Sequence, residues 1–305
     1  MVLIQKTDYA GWANCYRVSN GDVELVLTSD IGPRVMRFGF VGGQNLFKEF
    51  AESLGSSGES KWVARGGHRL WAAPEDPVKT YAPDNSPVTV EIQGETLVAT
   101  APVEELTGLE KRLAVTMSPA GSATVTHRLR NAGSAPAELA PWALTMMAPG
   151  GTGIHGFPPR GTHPRDLNPT NPLVMSAYTD LSDPRWKFTR KYMMLRQDPG
   201  ATSAQKLGTW NRETFGAYLL GSDLFIKRSA AQGSPADYPD FGCSFETFTN
   251  AAMLELETLG PMTTLAPGAS VEHAEWWTLD RNIRIAAWTD DELDAVLLPA
   301  VSQSR

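Results

Sequence analysis

Apolar residues recur at every second position in short blocks along most of the chain, the spacing that gives a strand one buried face. Val23, Leu25 and Leu27 alternate with Glu24, Val26 and Thr28, which predicts a strand with one face in the core. Asn20-Gly21-Asp22 precedes it, and Asn-Gly between two strand-like blocks predicts a hairpin with residues 14–19. Residues 34–40 alternate again. Four further blocks, 88–93, 96–101, 109–117 and 123–130, are divided by turns containing Gly or Pro, the pattern of an antiparallel meander that 137–147 continues. His127 falls among the polar positions of its block and is expected at the surface.

After residue 148 the alternation lapses. The stretch to residue 204 is dense in Gly, Pro, His and Asn. Runs such as Asn168-Pro169-Thr170-Asn171-Pro172 predict a long irregular cover in which only 186–188 and 192–195 read as strands. Strand-like blocks return at 215–220, 224–228, 243–249, 252–259 and 270–279. One helix is expected near the end. Thr289 or Asp290 opens it, its first turn is acidic, and Leu293, Val296 and Leu297 form its apolar stripe. With no repeat and no dividing linker, residues 1–305 read as a single all-β domain of two packed sheets with a short C-terminal helix.

Composition narrows the partners. The 305 residues include 27 basic and 34 acidic side chains, a net charge of −7. Such a chain gains nothing from phosphate backbones or anionic lipid, so neither nucleic acid nor a membrane is expected as a partner. No run approaches ~20 apolar residues and the first eleven positions do not form a signal peptide, which predicts a cytoplasmic protein. Cys15 and Cys243 form neither a disulfide framework nor a zinc pattern and are expected as buried apolar residues. His155 and His163 have no third ligand at metal spacing, so no metal is expected. The pattern sets no oligomeric state.

The densest chemistry is Arg65-Gly66-Gly67-His68-Arg69-Leu70-Trp71-Ala72-Ala73-Pro74-Glu75-Asp76. The glycine pair permits unusual dihedrals or close approach, and Pro74 fixes the exit. His68 offers a titratable ring, Arg69 a fork of donors and Trp71 a flat apolar face, which together suit a polyhydroxylated or anionic small molecule. The alternative is a solvated loop whose Trp71 plugs the core. The polar stretch 51–60 before it reads as a connection rather than a lid. Far along the chain, Met253-Leu254-Glu255-Leu256-Glu257 puts both glutamates on one strand face, which is either a functional face or the wet side of a half-buried sheet.

The order of these pieces resembles the galactose mutarotase-like superfamily, the β supersandwich of two large antiparallel sheets found in aldose 1-epimerases. Residues Gly66 to Pro74 are similar to the segment that places a substrate-binding basic residue. Leu254-Glu255-Leu256-Glu257-Thr258-Leu259-Gly260-Pro261 is similar to the late strand bearing the catalytic glutamate. Tyr238-Pro239-Asp240 and Phe245-Glu246-Thr247-Phe248-Thr249 look like an uncharacterised bacterial branch. The resemblance implies interconversion of the anomers of a small carbohydrate by general acid–base catalysis, with no metal or organic cofactor. It makes Glu257 the base, with Glu255 and Glu246 as alternates. Arg69 and Trp71 become sugar contacts, and Arg34, Lys61 and Asp240 further contacts. The family's acid histidine has no counterpart in residues 141–147, Pro-Trp-Ala-Leu-Thr-Met-Met. Either His68 supplies the acid, or the protein binds a carbohydrate without turning it over. A lyase or hydrolase on a similar sandwich is a third reading, for which the sequence shows no carboxylate pairing.

Overall fold

Strict alternation becomes sheet wherever it is sustained. In Leu109–Met117 every odd residue is buried and every even one half-buried, and Ala123–Asn131 repeats this on the neighbouring strand. The computed structural model describes residues 1–168, 170 and 173–302, so Pro169, Asn171 and Pro172 of the expected cover lie outside it. Two large antiparallel sheets carry the chain. The first runs Leu3–Tyr9, Trp12–Ser19, Val23–Thr28, Arg34–Phe40, His68–Ala73, Ala137–Met147, Leu254–Leu259, Phe245–Thr249, Gln205–Thr209, Val174–Met175, with Thr263–Leu265 beside Ala137–Met147. The second runs Trp186–Phe188, Tyr192–Arg196, Thr152–Gly156, Glu213–Leu220, Asp223–Ala230, Ser270–Asp280, Ala123–Asn131, Leu109–Met117, Thr96–Thr100, Thr89–Gln93. Between the sheets, the rings of Phe38, Phe47, Phe225 and Trp277 meet edge-to-face at centroid separations such as 5.5 Å for Phe38–Trp277 and for Phe47–Phe225.

The structure departs from the expected pattern at three places. Val23–Thr28 is buried on both faces: Val23, Leu25 and Leu27 enter the main core, while Val26 packs with Trp12, Cys15, Ile31 and Met36 on the other side. His127 is not a surface residue. It shares its strand face with Val125 and Leu129, two positions away, and is fully buried. Leu3–Tyr9 adds an edge strand, Thr152–Gly156 forms a strand inside the region read as cover, and Gln205–Thr209 forms one directly after it. The glycines that obscured Thr152–Gly156 are there for packing, since a Cβ on Gly156 would lie 2.6 Å from the Phe215 ring. Residues 51–60 form a pinned connection. Arg65 Nη1 donates to the Ser53 carbonyl at 2.8 Å and to Ser56 Oγ at 2.7 Å, and Glu59 pairs with the same guanidinium.

The helix Asp290–Ser302 begins as expected, with the Leu293 N–H donating to the Thr289 carbonyl at 2.9 Å. Leu293 and Leu297 pack on Ala217, Leu224 and Ile226, on the outer face of the second sheet. Leu293→Ala should therefore cost about 2–5 kcal/mol in urea unfolding; an unchanged midpoint would mean the helix is not docked. No helix among the described residues is long and apolar enough to cross a membrane.

Candidate functional site

The glycine-rich motif is the start of a central strand and not a loop. Gly66 and Gly67 have φ of +88° and +69°, and a Cβ on Gly66 would sit 1.8 Å from the Lys48 carbonyl oxygen. Arg34 fixes this entry from below, its Nη1 donating to the Gly66 carbonyl at 2.7 Å and its Nη2 pairing with Asp84. His68–Ala73 then runs antiparallel to Ala137–Met147. Strand alternation sends His68 and Leu70 into the sandwich, and Arg69 and Trp71 to the opposite, outer face of the first sheet.

On that outer face the register lines up the charges. Arg69 lies opposite Leu144, Leu144 opposite Glu257, Glu257 opposite Glu246, and Glu246 opposite Gly208. Lys206, two residues before Gly208, reaches back over the row. Its ammonium is 2.7 Å from Glu246 and 3.2 Å from Glu257, and it stands 5.0 Å from the centre of the Trp142 ring. Trp142 Nε1 donates to Glu257 Oε2 at 2.8 Å. Glu255, two positions before Glu257 on its strand, approaches Arg69 to 3.8 Å. Arg69 in turn lies over Trp71 at 3.8 Å and Trp62 at 5.0 Å. Trp62, Trp71, Trp142 and Tyr81 form an aromatic wall with centroids 5.2–5.9 Å apart.

These groups are out of water, Glu257 at 1% exposure and Glu246 at 4%. Burial pushes the Glu246 carboxyl up to about 8, with Lys206 opposing and Glu257 and Asp240 adding to the shift. Burial and the charge of Glu257 push Glu255 up to about 7, against the pull of Arg69. Burial alone would lower Lys206, but Glu257 and Glu246 hold it well above the usual lysine range. Burial also raises the Asp240 carboxyl, and the charges of Lys206 and Glu257 act on it as well. The outer face thus holds a cation between two carboxyl groups, and of its carboxyls Glu246 and Glu255 are raised into the neutral range.

The inner face of the same strands carries a second polar cluster. Lys227, fully buried, is 2.7 Å from Glu275 and donates to Thr145 Oγ1 and to the carbonyls of Ala143 and Leu256, each at 3.0 Å. His68 Nδ1 lies 2.8 Å from Thr145 Oγ1, and its Nε2 lies 2.7 Å from His127 Nε2. The tautomers follow. His127 Nδ1 faces the His273 carbonyl at 2.8 Å, which only accepts, so the His127 proton sits there and His127 Nε2 accepts from His68. His68 Nδ1 then accepts from the Thr145 hydroxyl. His68 Nε2, His127 Nε2 and a Glu275 oxygen lie within 4.8 Å of one another, a grouping that could take a metal ion. The donor set does not suit one. The two imidazole nitrogens already bond each other, Trp277 Nε1 donates to Glu275 at 2.8 Å, and the Lys227 ammonium neutralises that carboxylate.

No family model matches the sequence, and no curated protein matches it. Solved structures do. A protein of Synechocystis sp. PCC 6803 superposes with a TM-score of 0.57 at 12% identity, covering 92% of this chain and 100% of its own. A galactose mutarotase related enzyme from Lactobacillus acidophilus gives 0.51 at 10% identity, over 90% of this chain and 98% of its own. A galactose mutarotase-like protein from Lactobacillus casei gives 0.50 at 12% identity, over 88% and 100%. The chain has the galactose mutarotase-like fold.

Within that fold, the structure brings together Arg69, Trp71, Glu246, Glu255 and Glu257, with Asp240 close enough for its charge to be felt. It does not bring His68 to them, because that ring is on the other side of the sheet. Arg34 lies beneath the strand entry rather than in the site. Lys61 is exposed, and its backbone carbonyl accepts from Asn85 Nδ2 at 2.6 Å. The strand face of Glu255 and Glu257, which alternation alone allowed as a wet surface, is covered. Lys206, Trp62 and Tyr81 belong to the site and carry no sequence signal that links them to it. Trp142 stands in the strand that lacks the histidine the resemblance implies, and its indole N–H occupies one oxygen of Glu257.

Proposed function

We propose that the protein binds a small sugar on this outer face and interconverts its anomers by general acid–base catalysis. The row Arg69–Glu257–Glu246 with Lys206 above it, buried beside an aromatic wall, carries the reading. Two carboxyl groups on adjacent strands that share the Lys206 ammonium, with the Glu246 carboxyl raised to about 8 by burial, form an acid–base pair. Glu257 takes the proton from the anomeric hydroxyl as the bond from C1 to the ring oxygen breaks. Glu246 gives its proton to that oxygen. The O–H bonding pair becomes the carbonyl of the open-chain aldehyde, and after rotation about C1–C2 the same transfers run backwards to close the other anomer. Lys206 stabilises the charge that shifts between the two carboxyls. Trp71 and Trp142 offer ring faces to sugar C–H bonds. The neighbours named as galactose mutarotase-like give the fold-level support, which is analogy.

One observation favours the second reading, a carbohydrate-binding protein without turnover. Glu257 Oε2 accepts from both Trp142 and Lys206, which occupies the atom a base would use. Anomer exchange followed by NMR on a panel of aldoses separates the two. Exchange above the buffer rate supports the enzyme. Line broadening of a sugar with exchange at the buffer rate supports the binder.

A further inference from the structure

The site holds more carboxyl groups than cations, and protons rather than cations neutralise part of them. Glu246, Glu255 and Glu257 lie on its floor, and Asp240 and Glu75 stand close enough for their charges to act on the same groups. Against these five acids there are two cations, Arg69 and Lys206. Lys206 is shared between Glu246 and Glu257, and Arg69 reaches Glu255 only at 3.8 Å. Glu255 Oε1 is buried without a hydrogen-bond donor, and Arg69, 3% exposed, keeps Nε and Nη1 without acceptors. A ligand that completes this site brings donors for Glu255, hydroxyl acceptors for Arg69, and a positive charge that can take the place of a carboxyl proton. The aromatic wall tolerates such a charge, since Arg69 already lies over two of its rings. A phosphate or carboxylate on the ligand would face the acidic floor with at most one half-free cation to meet it.

We propose that this site prefers a sugar bearing a protonated amino group over its neutral parent, and rejects phosphorylated or carboxylated sugars. This rests on the sugar-binding reading above and names its substrate class. The ammonium replaces the proton that Glu255 holds, so binding releases a proton in the range where Glu255, raised to about 7, is still partly protonated.

The test uses the unmodified protein at low salt. Calorimetric or NMR titrations compare glucosamine and galactosamine with glucose and galactose, and with glucose 6-phosphate and glucuronate. The amino sugars should bind at least ~10-fold more tightly than their neutral parents, the anionic sugars should not compete, and proton release should appear when the titration is repeated in buffers of different ionisation enthalpy. Glu255→Gln should narrow the preference. Equal binding of the neutral parents, or tighter binding of an anionic sugar, overturns the charge inference and leaves the sugar-binding reading standing. Failure of every sugar to bind overturns both. Tight binding of an amino sugar without anomer exchange keeps the inference and removes catalysis.

Discussion

Replacing Lys227 by methionine is expected to cost the fold about 3–5 kcal/mol, because it strands the Glu275 carboxylate between the sheets. Burial would raise that carboxyl, yet Lys227 first and then His68, His127 and His273 hold it far below the usual carboxylate range. The lysine also ties the Ala143 and Leu256 carbonyls of two adjacent strands of the first sheet to the second sheet. Methionine keeps the stem's packing and removes only the ammonium, so the loss measures the charge and its bonds. Urea unfolding followed by tryptophan fluorescence reads it. Pairing the change with Glu275→Gln should recover a large part of the loss, since the stranded charge is then gone. If Lys227→Met unfolds at the unmodified midpoint, the ammonium is not what holds the cluster.

That cluster explains why part of the molecule was legible in sequence and part was not. Leu109–Met117 could be read because its alternation is unbroken and its strand is bounded by turn residues. The same rule applied to His127 goes wrong when the polar neighbours at one residue's distance are taken as its surroundings. In a strand the neighbours at two residues' distance share the face, and those are Val125 and Leu129. His68 and Arg69 are adjacent, which suggests one site, yet adjacency in a strand means opposite faces. Once residues 68–73 are known to pair with Ala137–Met147, and His68 with Val35 on its other side, one sugar site holding both side chains is ruled out. For Glu257 the family resemblance points to the site, while alternation alone is compatible with a wet face. Lys206 had no route in. Its strand holds one large apolar residue, Leu207, and exists because Phe245–Thr249 supplies the ladder. Long-range pairing of this kind leaves no local trace.

Glu257→Gln should reduce anomer exchange by roughly 10²- to 10⁴-fold, the loss of a general base, while leaving the fold intact. Glutamine keeps an oxygen for the Trp142 N–H, and Lys206 retains Glu246 at 2.7 Å, so the neighbours stay in place. The pH profile adds an independent check on the acid. Glu246 must carry its proton to deliver it, and with its carboxyl raised to about 8, exchange should hold through neutral pH and fall as pH rises through about 8. The sign is set by the direction of the shift. An ordinary carboxyl would have lost its proton well below neutrality and could give no such limb. Glu246→Gln should lower the rate and abolish the alkaline limb together, because both come from one proton. If Glu246→Gln slows exchange but keeps the limb, the acid lies elsewhere, and Glu255, raised to about 7 on the same face, is the group to change next.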